Sequence, residues 1–105
     1  MNTTTITQVN ITPYNKAEDK QWMTMQFIMT TCDAFAISSL LKLHSKSKIG
    51  IFKKYPQMKI DMQELTTRKF TFEELKNFDI TYPYQIIEQL DIEVDDNYKN
   101  LTEFA

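Results

Sequence analysis

Cys32 is the only thiol in the chain and His44 the only imidazole. A thiolate nucleophile with a histidine base is the covalent-catalysis pair that these residue types allow. Their spacing argues against it. Twelve positions of helix would set the two side chains about 18 Å apart along its axis. His44 also falls on an apolar helical face, where a core or boundary histidine is expected. Cys32 reads as a small buried apolar residue, because a catalytic thiol needs an accessible, electropositive setting.

Metal and phosphate chemistry meet similar obstacles. A zinc site built from Cys and His needs several such ligands, and the chain has two in all. Asp91, Glu93, Asp95 and Asp96 could hold a hard cation through carboxylates alone, but no EF-hand loop surrounds them, since its central glycine is missing. That stretch reads as solvated acid. Gly50 is the single glycine. Loops that cradle phosphates need several glycines, so that backbone N–H groups can approach the ligand. Neither a P-loop nor a dinucleotide fingerprint can be written here. No cofactor and no metal is expected, and the chain reads as non-enzymatic.

The charges are sorted along the chain. Residues 41–70 carry a local balance of about +6 and residues 71–105 about −7, beneath a formal net charge of −2. The basic middle holds Lys42, Lys46, Lys48, Lys53, Lys54, Lys59, Arg68 and Lys69, interleaved with Phe52, Tyr55 and Phe70. Lysines could neutralise phosphates and aromatics could stack bases, so a nucleic-acid-binding module is the alternative reading. Only one of the eight is arginine, the residue suited to bidentate base recognition. A sequence pI near 5.3 is also low for such a domain. A solvated face or a protein contact explains the stretch better. The acidic end is too sparse for a dense mimic of a nucleic-acid backbone.

Apolar surface is the remaining source of function. Six methionines suit an adaptable contact surface. Trp22 and Ile28 fall on the strand face away from Met23, Met25, Phe27 and Met29, and Phe35 on the polar side of its helix. Together they favour a protein-binding surface or a homodimer. The expected contact residues are Trp22, Phe35, Phe52, Lys53, Lys54 and Tyr55.

The elements that position these residues follow from periodicity. Thr4 to Ile11 reads as a strand ended by Pro13, and Asn15 to Lys20 as a hairpin loop. Gln21 to Thr31 alternates strictly and reads as the second strand. A helical reading competes there, because Asn15 and Glu18 have capping spacing and Trp22, Met25, Met29 and Cys32 lie at helical intervals. Asp33 to His44 is the clearest helix, capped by Thr31 or Asp33, with Ala34, Ile37, Leu40, Leu41 and His44 on one side and Ser38, Lys42 and Ser45 opposite. Ile49 to Tyr55 is a short strand or a helical turn, and Pro56 breaks it. Met58, Ile60 and Met62 alternate as a half-buried strand, with Thr66 to Phe70 a connection or edge strand. Thr71 and Glu74 form a capping box for a helix through Phe78. Pro83 opens another helix with Ile86, Ile87 and Leu90 buried. Ile92 and Val94 suggest a last strand, and Tyr98, Leu101 and Phe104 a helical end.

The expected fold is thus a small α+β domain spanning 1–105. An N-terminal antiparallel hairpin packs on a helix near 33–45, followed by a short strand and two or three short helices. No run reaches the ~18 apolar residues of a membrane helix, and the polar N-terminus is unlike a signal peptide. A lone cysteine fits a reducing compartment, so a cytoplasmic location is expected. The function expected is a protein-binding regulator or inhibitor, of the inhibitor, immunity or accessory-subunit type, that covers a partner protein's surface.

Overall fold

The computed structural model describes residues 3–92. It is an α+β domain: a four-stranded antiparallel sheet with one long and two short helices. β1 (Thr4–Asn15) is the central strand. It pairs on one side with β2 (Lys20–Gln21) and β3 (Met25–Thr30), and on the other with β4 (Gln57–Arg68). Opposed residues of an antiparallel pair share a face. Val9 therefore stands between Phe27 and Met62, and Ile11 between Met25 and Ile60. That face meets helix α1 (Thr31–His44), whose Ala34, Ile37, Leu40 and Leu41 enter the same core. Each of the larger side chains, fully buried, contributes roughly 1.5–3 kcal/mol.

The hairpin forms, but its details differ from expectation. β1 runs through Pro13. A strand residue's N–H and C=O point the same way, and the Pro13 carbonyl accepts from the Trp22 N–H at 2.8 Å. The missing donor of Pro13 therefore faces the interval between β2 and β3, where the ladder is already broken. The second strand is likewise interrupted at Trp22–Thr24. Asn15 and Glu18 do interact, with Asn15 Oδ1 accepting from the Glu18 N–H at 3.2 Å, but they shape the hairpin turn rather than a helix.

The start of α1 is tied to β1 by threonines. Its cap is Thr30, rather than Thr31 or Asp33, accepting from the Asp33 N–H at 3.4 Å. The Thr31 hydroxyl donates to the Thr5 carbonyl at 3.1 Å and lies 2.7 Å from the Thr7 hydroxyl. The buried face of α1 is wider than expected. It includes Asp33 and Ser38, whereas Cys32 is exposed and not the buried residue expected. Burial raises the Asp33 carboxyl above its usual range, partly offset by its hydrogen bond with Thr30.

Beyond α1, Gly50–Lys53 forms a 3₁₀ turn, the helical alternative for Ile49–Tyr55. Gly50 has φ +55°, and a Cβ there would meet the carbonyl oxygens of Leu90 and Asp91. The only glycine marks a close backbone approach, where the Ile51 N–H donates to the Leu90 carbonyl at 3.1 Å. β4 is longer than the Met58–Met62 alternation and takes in Thr66–Arg68 as edge strand. Ile6 faces Thr66 while Thr7 faces Glu64, so Leu65 bulges out of the ladder.

The expected capping box opens α2 (Phe72–Asn77), with reciprocal bonds of 3.0 and 3.2 Å between Thr71 and Glu74. The backbone bond from Thr71, then Arg68, hold the Glu74 carboxyl below its usual range. Phe70 and Phe78 meet edge to face beside this helix. The Thr81 N–H then reaches the Ile28 carbonyl of β3 at 2.8 Å. α3 (Pro83–Gln89) starts at the expected proline and buries Ile86, Ile87 and Leu90 in the core shared with α1. Val94 and the helical spacing of Tyr98, Leu101 and Phe104 lie outside the described residues.

Candidate protein-binding surface

The break between β2 and β3 displays the one tryptophan of the chain beside a methionine. Trp22 and Met23 sit there, 42 % and 79 % exposed. They lie outside the paired registers of β2 and β3, held to β1 by the Trp22 N–H bond to Pro13, and leave the strand alternation that buries Phe27 and Met29 and half-buries Met25. The Trp22 ring lies 5.5 Å from that of Tyr55, and the Lys54 ammonium 5.4 Å from the Tyr55 ring. Tyr55 itself packs on the core beneath. Asn15 Nδ2 donates to the Lys54 carbonyl at 3.5 Å, and the Lys16 N–H to Gln57 Oε1 at 3.2 Å. The hairpin turn and the segment after the 3₁₀ turn are thus joined into one support. Tryptophan and tyrosine on a fixed base are the residue types enriched among interface anchors.

Three of the six expected contact residues come together: Trp22 and Tyr55 touch, and Lys54 lies over the Tyr55 ring; Lys53 is exposed at the end of the 3₁₀ turn. Phe52 does not join them. It is 1 % exposed and belongs to the core, because the 3₁₀ turn directs it inward while Lys53 stays in solvent. Phe35 is 60 % exposed on the outer face of α1 and shares no ring contact with the cluster among the described residues. Met23 was missed because a strict alternation placed it with the core methionines.

The basic residues do not converge on one face. Lys42 lies on α1, Lys46 and Lys48 follow it, and Lys59 sits on the sheet face away from the helix. Arg68 lies nine residues further along β4, about 30 Å away. It is engaged there by Glu74 at 2.8 Å and by the Phe70 ring at 4.1 Å, with Lys69 next to it. Of the acidic candidates, Asp91 occupies the turn after α3, and Glu93, Asp95 and Asp96 lie outside the described residues. Cys32 and His44 occupy opposite ends of α1.

Two concavities among the described residues lie apart from the aromatic pair. One is a groove of about 310 Å³ between α1 and β4, lined by Leu41, Met58, Ile60 and Met62 with Ser38 and Lys42. The other is a notch of about 350 Å³ among Thr3, Thr4, Thr5, Thr30, Thr31 and Cys32. No helix among the described residues is long and apolar enough to cross a membrane. No protein-family model, curated protein or solved structure matches the chain.

Proposed function

We propose that this chain is a small cytoplasmic, non-enzymatic regulator or inhibitor that acts by covering the surface of a partner protein. The observation that carries this reading is the Trp22–Tyr55 pair with Met23 and Lys54 at the break in the sheet. Large apolar side chains exposed on a rigid base lose little conformational freedom on binding, which is what makes aromatic anchors effective. The dispersal of the basic residues and the pairing of Arg68 with Glu74 weigh against the nucleic-acid alternative.

The test is a comparison of captured partners. The chain and a Trp22→Ala/Tyr55→Ala variant are immobilised and exposed to nuclease-treated lysate of the native host. A protein retained by the wild type and lost by the variant, at matched melting temperatures, is the expected result. Equal retention by both would contradict the surface assignment. Tight, sequence-selective retention of DNA or RNA at physiological salt would replace the reading with the alternative.

A further inference from the structure

Among the described residues β4 has one strand partner, β1, so along its outer edge every second N–H and C=O lacks a ladder. Proteins commonly blunt such edges with proline, short length, bulges or charged side chains, lysine above all; between Gln57 and Gln63 the charges of β4 are one lysine and one aspartate. β4 has twelve residues and no proline. Met58, Ile60 and Met62 point to its helical side and line the groove beneath α1. Lys59 and Asp61 alternate with them on the open face, both exposed, and neither has an ion-pair partner among the described residues.

We propose that a second copy of this chain adds to β4 in antiparallel pairing, about a two-fold axis through Ile60. A two-fold perpendicular to the sheet keeps both helical layers on one side, so paired residue numbers have an even sum. Centred on Ile60, Lys59 faces the partner's Asp61, Met58 faces the partner's Met62, and Gln57 faces the partner's Gln63, each pair occurring twice. Ile60 faces its own copy. The neighbouring registers fail. Centring on Asp61 opposes two aspartates, and centring on Lys59 opposes two lysines. Centring on Met62 sets Ile60 against Glu64. Pro56 at one end and the Leu65 bulge at the other limit the pairing to 57–63. The two grooves join into one apolar layer covered by both α1 helices. This contact does not use the Trp22–Tyr55 surface.

Sedimentation velocity over a concentration series reads the dimerisation constant. The wild type should dimerise. Lys59→Glu or Asp61→Lys alone should weaken the dimer roughly tenfold, because each creates two like-charge cross-strand pairs. The double variant should regain wild-type affinity, and the two single variants should form a heterodimer when mixed. Both positions are exposed, so the melting temperatures serve as a check on folding. A monomer at every concentration would overturn the proposal. So would a dimer indifferent to the single variants, or a double variant no stronger than the singles. A monomer that dimerises only after removal of residues 93–105 would also overturn it, and would assign this edge to the chain's own acidic end.

Discussion

Gly50 shows how much one residue can constrain. Its positive φ and the nearby carbonyls of Leu90 and Asp91 leave no room for a side chain. Gly50→Ala should cost at least about 2 kcal/mol, combining backbone strain with a displaced α3 terminus. Urea denaturation would measure it, and an unchanged midpoint would contradict the close approach. Asp33 makes a second residue-scale prediction. Burial raises its carboxyl above the ordinary value of 3.8, so the folded chain binds that proton more tightly than the unfolded chain. Its contribution is therefore most favourable at low pH and is lost as pH rises from 3.8 toward the raised folded value. Asp33→Asn, which keeps the N–H that donates to Thr30, should gain on the wild type between pH 3 and pH 7. A constant difference in unfolding free energy across that range would contradict this. Cys32 is exposed at the start of α1, and Cys32→Ser should leave partner binding intact. Loss of binding by a folded variant would restore the thiol to consideration.

At the scale of elements, α1 carries the core. Leu40→Asp or Leu41→Asp would bury a lone charge and should abolish cooperative folding, a loss of more than about 4 kcal/mol. A wild-type melting temperature in both variants would mean that the helix face is misassigned. Thr71→Ala should cost about 1 kcal/mol through loss of the cap on α2. The elements that could be read from sequence owe their form to local rules. The apolar stripe of α1, the Thr71–Glu74 box and Pro83 at the start of α3 each act within a turn or two of chain. The elements that could not be read depend on distant partners. The second half of β4 has no alternation, because the Leu65 bulge shifts its parity and its pairing with β1 alone holds it extended. Pro13 looks like a strand end until the gap between β2 and β3 removes the need for its donor. Thr30, Thr31 and Asp33 are all competent caps, and tertiary contacts from Thr5 and Thr7 decide among them.

At the scale of the whole molecule, the sheet spreads the charges that look concentrated in sequence. Lys54 borders the Trp22–Tyr55 pair, while Arg68 and Lys69 lie at the far end of β4. The surface was legible only in part: Trp22, Lys53, Lys54 and Tyr55 were within reach of composition and periodicity, but Met23 was not, and the inward aim of Phe52 was hidden. An aromatic in a basic run looks the same whether a turn aims it outward or inward. The anchor and its rim should leave different kinetic signatures. The most direct measurement is of association and dissociation rates with the captured partner protein at physiological salt. Trp22→Ala should raise the dissociation rate at least about tenfold with little change in association, and Lys53→Glu/Lys54→Glu should chiefly slow association. A folded Trp22→Ala variant with wild-type rates, alongside a lysine variant that no longer binds, would contradict an aromatic anchor and make the basic segment the functional site.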